Sequence, residues 1–408
     1  MRSRSVEQSW RLWEEARALI PMGTQTHSKA PREALRGVEP CFLVRGEGGR
    51  VWDVDGNEYI DLRCGLGPIS LGHRFPAVEA AIREQLEKGL IFSYASPLEV
   101  EVARRLVEII PCAESVRFLK TCGEAMSAAI KLARAFTGRE LVLKCGYHGW
   151  LQMTAGPGVP ASMADSLREM PWGEIGPYEE AFAREGERIA AVSVACSYGE
   201  GERGRTFYPA LRELTRRHGA LLIFDEIVMG FRLARAGAQE FFGVTPDLAV
   251  FAKGISNGMP LSCYLGRRDV METVRRATIS STFGGDTLAL AAARAAIDTY
   301  RREDVIGHLW ARGRQLQEGL NGLFRELDAP AAVTGFPPCC QVGFTTPDRA
   351  RNAALFLQFE RELFRRGVIL YTVMYVNYSH TTAEIDEVLN RMADGLRAMR
   401  ADGCWGKP

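Results

Sequence analysis

The sequence predicts an α/β protein with a mostly parallel central sheet in a large domain and a smaller α+β domain. Three observations predict it. Strand-length apolar runs recur through the middle of the chain: LVLKC at 141–145, AVSVAC at 191–196, ALLIF at 220–224 and DLAVFAK at 247–253. Helical patterns lie between these runs, as in repeated strand–helix units. The runs are nearly continuous in apolar residues, which suits central strands covered on both faces.

Taken in order, residues 8–20, QSWRLWEEARALI, carry apolar residues at helical spacing, and PMGTQTHSKAP then breaks the pattern into a polar loop. FLVRGEGGRVWDVDGNEYIDL alternates in short stretches around EGG and DGN turns, so a small antiparallel sheet is expected beside the main domain. VRFLK at 116–120 leads through TCGEA into a helix that sets Ala125, Ala129, Leu132, Ala133 and Phe136 near one side and stops at Gly138. FYPALRELTRRHG reads as the helix before ALLIFDE, and LSCYLG at 261–266 returns to the sheet. A helix from Leu288 through Tyr300 is expected to bridge to the C-terminal part, where residues 309–324 and 383–399 are helical in pattern. Residues 62–298 form the expected large domain, with 1–61 and 299–408 combining in the smaller one.

Composition narrows the function classes. Lys plus Arg total 51 against 50 for Asp plus Glu, so the formal charge of +1 gives no overall attraction to nucleic acid or an anionic membrane. The opening MRSRSVEQSWRLWEEARALI lacks a signal-peptide core, and no apolar run is long enough to span a membrane. Residence in the cytoplasm is the expectation. The 10 cysteines are scattered apart from adjacent Cys339 and Cys340, and His73, His148 and His380 are far apart, so no metal site is expected.

The informative pair is Asp225 in LLIFDEIVMGFR and Lys253 in VFAKGISNGMP. Each follows an apolar strand run, so both can meet at one sheet edge, where rigid strands aim side chains into a loop-lined crevice. With these motifs the chain resembles the class III, fold-type-I pyridoxal-phosphate aminotransferases, especially the branch containing glutamate-1-semialdehyde aminomutase. The similarity runs from the loop near Pro21 to SHTTAEID near the C terminus.

The resemblance implies that Lys253 holds pyridoxal 5'-phosphate as an imine and, once released by a substrate amine, shuttles protons. It implies that Asp225, rather than the adjacent Glu226, pairs with the pyridinium nitrogen and favours its protonation. TCGEA matches the phosphate loop, with Thr121, Cys122 and Gly123 at positions that commonly read Ser-Gly-Thr. The amides of Cys122 and Gly123 can still donate to a phosphate at the helix start; an ordinary capped turn is the alternative. Tyr147 in GYHGW matches the aromatic that stacks on the cofactor, while His148 is as readily a structural histidine. Ile227 packs on the opposite cofactor face or simply in the core. Thr282 in STFGGDTLA matches a threonine that donates to phosphate from the partner subunit, which implies a homodimer with shared active sites. Asp286 and Thr287 depart from the commoner Asn-Pro.

Substrate features depart further. Ala195 and Cys196 stand where the resembling families usually have Glu-Pro, and Ala195 cannot make an acid's hydrogen bonds. Tyr198 and Glu200 are candidates to supply polarity there. Lys29 in GTQTHSK stands at the position of a substrate-carboxylate arginine and keeps the charge without the planar fork. Thr24, Gln25 and His27 can shape the same loop. LYTVMYVNYSH has no arginine for the usual 2-oxo-acid clamp, leaving Tyr371, Tyr375, Asn377 and Tyr378 for pocket or packing. The leading expectation is an aminotransferase that takes an amine donor and a small aldehyde, ketone or keto-sugar acceptor in specialised biosynthesis. The alternative is an aminomutase like the glutamate-1-semialdehyde enzyme.

Overall fold

The computed structural model describes residues 4–199 and 201–405, so Glu200 lies outside the described residues. The chain divides into two compact units. One is drawn from Met1–Leu66, Leu71–Phe75 and His308–Pro408; the other comprises Gly67–Ser70 and Pro76–Gly307.

In the first unit, β1 (Leu43–Glu47), β2 (Arg50–Asp53) and β3 (Glu58–Asp61) form the expected antiparallel meander. The DGN turn closes because Gly56 adopts φ +84° and the Asp53 carboxylate accepts the Asn57 amide at 2.7 Å.

The second unit holds β4 (Ser115–Leu119), β5 (Leu141–Cys145), β6 (Leu167–Glu169), β7 (Ile189–Ala195), β8 (Leu221–Asp225), β9 (Leu248–Phe251) and β10 (Ser262–Gly266). Their order is β4-β10-β9-β8-β7-β5-β6. The strands from β9 through β6 are mutually parallel, and β10 runs antiparallel between β9 and β4. The sheet is thus mostly parallel, with one reversed strand. β5, β8, β9 and β10 are buried along their whole length, which explains their unbroken apolar spelling.

Back in the first unit, β11 (Ala331–Thr334), β12 (Cys339–Phe344) and β14 (Val373–Tyr375) form an antiparallel sheet, and β13 (Val368–Ile369) pairs parallel to β3.

The helix Cys122–Thr137 buries Ala125, Met126, Ala128, Ala129, Ile130, Leu132 and Ala133 against the large sheet and ends on Gly138 at φ +69°. Phe136 departs from expectation: it is exposed in the last turn, where the Arg267 guanidinium lies 5.7 Å from its ring centre. The helix expected to bridge toward the C-terminal part, Thr287–Arg302, lies wholly within the second unit; Val305–Glu326 carries the chain across the boundary. All ten cysteines are free, and no group of three or more potential metal ligands occurs among the described residues. No described helix is long and apolar enough to cross a membrane.

Candidate active site

The C-terminal ends of the parallel strands bring Asp225, His148, Lys253 and Cys122 within reach of one another. Asp225 is the last residue of β8, paired in register with Ala195 on β7 and Val250 on β9. Its carboxylate is buried. Oδ1 accepts the Ile227 amide at 3.0 Å, and Oδ2 lies 2.7 Å from His148 Nδ1. Neighbouring Glu226 points elsewhere: its fully buried carboxyl accepts the Ala238 and Gln239 amides at 2.8 and 2.9 Å, and burial pushes its pKa up to about 8. Of the two acids, only Asp225 meets the groups that follow.

His148 is completely buried three residues beyond β5, and its Nε2 lies 3.1 Å from the Ser193 hydroxyl on β7. An ionised carboxylate only accepts, so His148 Nδ1 carries the proton toward Asp225 and Nε2 accepts from Ser193. The result is a line of three side chains, Ser193–His148–Asp225, across the adjacent strands β7, β5 and β8. Sequence alone leaves His148 as readily a structural histidine and does not single out Ser193. The signal available was a hydroxyl within the otherwise apolar AVSVA.

Lys253 follows β9 by two residues and holds a left-handed backbone at φ +52°, which costs an L-residue roughly 1 kcal/mol or more. Burial lowers its pKa, with the Cys122 thiol and the Asp225 carboxylate opposing and Arg232 adding to the shift. Amine, acid and thiol are therefore within electrostatic reach of one another. Burial likewise raises the Cys122 thiol pKa, with Lys253 opposing.

Cys122 and Gly123 are the first two residues of their helix. Thr121 caps it: its hydroxyl accepts the Glu124 amide at 3.3 Å, while the Glu124 carboxylate accepts the Thr121 amide at 2.7 Å. The cap consumes the third helical amide and leaves those of Cys122 and Gly123 as the ones a helix start offers to an anion. Gly149, at φ +90°, lets the loop after β5 pass directly over this turn. A Cβ there would lie 3.0 Å from Gly123 Cα.

Tyr147 is largely exposed in that same loop, whereas Ile227 is buried in the core cluster with Ala125, Ala129 and Val250. Thr282 is exposed, in the loop before the helix Thr287–Arg302. Asp286 has a local function: it caps that helix by accepting the Leu288 amide at 3.1 Å and accepts Lys120 Nζ at 2.6 Å. Ala195 is half-buried with its Cβ about where Gly146 closes in, since a Cβ on Gly146 would sit 3.0 Å away. Tyr198 is half-buried just after β7.

Thr24 and Lys29 belong to the first unit, Thr24 half-buried and Lys29 exposed in the short turn His27–Lys29. In the same unit Asn377 is fully buried and its amide oxygen accepts the Ser379 and His380 amides at 3.0 and 3.1 Å. Tyr375 is buried in β14, and the Tyr378 ring packs 5.0 Å from His308. Asn377, Tyr375 and Tyr378 therefore have structural duties.

The chemistry this arrangement supports is specific. A carboxylate held in a low-dielectric setting by one amide and one imidazole suits a partner that carries a proton on nitrogen. A lysine whose burial favours the neutral amine is primed as a nucleophile. The helix start suits a phosphate. Together these groups fit pyridoxal phosphate.

The class-III aminotransferase family profile matches residues 34–396. The glutamate-1-semialdehyde 2,1-aminomutase of Persephonella marina is 34% identical, with 97% of this chain and 99% of the relative covered. That of Thermomicrobium roseum is 37% identical over 96% of this chain and 98% of its own length. Among solved structures, the pyridoxal-phosphate internal-aldimine form of the FumI protein of Sphingopyxis sp. MTA144 superposes with a TM-score of 0.91 at 27% identity, covering 98% of each chain.

Proposed function

The chain belongs to the class-III aminotransferase family and is a pyridoxal-phosphate-dependent enzyme; on that premise we propose that it shifts an amino group within one small substrate, as an aminomutase. The residues alone favoured transfer between two molecules. Relatives named as aminomutases, alignable over nearly the whole chain, reverse that order. The observation that carries the cofactor chemistry is the buried Asp225–His148 pair one strand away from Lys253.

Bound pyridoxal phosphate supplies an electrophilic carbon and a protonated ring that accepts electron density. Lys253 Nζ would hold that carbon, and when free would carry the proton between substrate and cofactor carbons. Asp225 would keep the proton on the ring nitrogen. His148 fixes the Asp225 carboxylate in one orientation, and Ser193 fixes the His148 tautomer. The Cys122 and Gly123 amides would bind the phosphate, with Tyr147 on one ring face and Ile227 on the other. Thr282 is assigned to the phosphate of the partner subunit, in a homodimer with shared sites. Thr24, Lys29 and Tyr198 are assigned to substrate.

Ser193→Ala tests the relay. One neutral hydrogen bond is worth about 1 kcal/mol, so kcat is expected to fall about fivefold with KM for the amine unchanged. Ser193→Thr restores it. Steady-state kinetics of the three proteins decide, and equal loss in the Thr variant makes Ser193 a packing residue only.

A second reading, transfer from an amine donor to a small aldehyde, ketone or keto-sugar, is favoured by Ala195, which leaves the end of β7 without a carboxylate. Purified holoenzyme given glutamate 1-semialdehyde and no external acceptor separates the two. Isomerisation followed by mass spectrometry is the expected result. Turnover that appears only with a separate donor and acceptor overturns the aminomutase reading and establishes the second.

A further inference from the structure

The first unit contains a cavity of about 550 Å³, within the range of roughly 300–1,000 Å³ usual for small-molecule sites. Ala353, Phe356 and Leu357 of the helix Arg349–Arg365 form an apolar wall. Arg32, Glu39, Glu360 and Arg63 form a charged one.

The two arginines differ. Arg32 is committed: its guanidinium forks onto Glu360, with the second bond at 2.9 Å, and pairs with Glu39 at 3.5 Å, while its amide donates to Glu39 at 2.8 Å. Arg63 has no hydrogen-bond acceptor for its guanidinium among the described residues. Its Nε is buried without a partner, and its guanidinium lies over the Tyr371 ring, 5.1 Å from the centroid. A guanidinium left without an acceptor in a largely buried setting is costly, and an acceptor entering the cavity can recover part of that cost.

We propose that this cavity binds a small monocarboxylate with an apolar body, its carboxylate on the Arg63 fork and its body against Phe356, Leu357 and Tyr371. A guanidinium fork matches a carboxylate in two parallel bonds, and stacking on Tyr371 fixes the plane of the fork in advance. The wall as it stands is balanced, with two arginines facing two glutamates, and His27, Asp61 and its partner His73 are the other titratable groups nearby. Burial raises the pKa of both Glu39 and Glu360, with the Arg32 guanidinium opposing. The site lies wholly in the first unit, whereas Lys253 and Asp225 belong to the second.

The probe is 4-phenylbutyrate, titrated calorimetrically onto holoenzyme, with 4-phenylbutanol as the matched compound lacking the carboxylate. Saturable binding of the acid at one site per chain, and none of the alcohol, is expected. Arg63→Met is expected to weaken binding about tenfold or more, and Arg63→Lys, which keeps charge without the fork, by less. Lys253→Ala is expected to bind as the unaltered protein does. Absence of saturable binding, equal affinity for the alcohol, unchanged affinity in both Arg63 variants, or loss of binding in Lys253→Ala each overturns the proposal. If Arg63→Met does not fold, the Arg63→Lys comparison with the alcohol control carries the test.

Discussion

Lys253→Ala is expected to abolish measurable turnover, with a loss of roughly 10³–10⁴-fold or more, because one amine serves both as covalent anchor and as proton carrier. Borohydride treatment of the unaltered holoenzyme should leave the cofactor mass on the peptide containing Lys253, and none in the variant. Retained activity, or a modified peptide elsewhere, rejects the assignment. The same variant carries a stability signature. Burial lowers the Lys253 pKa in the folded protein, so the folded state binds that proton less readily than the unfolded one. The resulting penalty is full below the folded pKa and fades as pH rises through the folded toward the unfolded value. Cofactor-free Lys253→Ala is therefore expected to melt at or above the temperature of the cofactor-free parent at neutral pH, with the difference vanishing in strong alkali. Thermal unfolding across that range reads it directly.

Asp225→Asn is expected to lower kcat by about 10²–10³-fold, the scale associated with removing a preorganised charge from a catalytic site. The fold should survive. The amide oxygen of an asparagine can still accept the Ile227 N–H now bound at 3.0 Å. Its NH2 group can face His148 if the imidazole changes tautomer, giving its proton to the Nε2 side, where the Ser193 hydroxyl lies 3.1 Å away and can accept as well as donate. Charge is lost while hydrogen bonds are kept. The visible spectrum of the holoenzyme should shift with the protonation of the ring, and circular dichroism should be unchanged. A double variant with His148→Asn should lose less than the product of the single losses, since His148 acts through Asp225. Full multiplicative loss rejects that coupling.

The proximity of Asp225 and Lys253 was legible because their positions follow from local spelling. A run such as ALLIF or DLAVF declares a buried strand, and the residue after it must emerge at an end of the sheet. The relay was not legible for a reason of order. Residues 148, 193 and 225 meet because β5, β7 and β8 are neighbours in the sheet, and neighbour order is a tertiary property that no short window encodes. Phe136 illustrates the reverse error. Helical spacing placed it on the inward side, but it falls in the final turn, past the stripe that ends at Ala133, and it is left to Arg267. Arg63 was invisible for a third reason. Its interest lies in the acceptor it lacks among residues 24 to 308 positions away along the chain, Glu39 and Tyr371 among them.

The reversed strand β10 has a consequence for how the protein is made. β4 pairs with no other strand than β10 in the described sheet. A ribosome that has released the chain only as far as Phe251 has delivered Asp225 but not the strand to which β4 must attach. The margin of the sheet leading into Thr121 and Cys122 is thus stitched in only after Gly266 has emerged. Pairings so distant in sequence form slowly. The turn proposed to receive the cofactor phosphate is accordingly completed late in biogenesis, and supplying the cofactor early should speed maturation little.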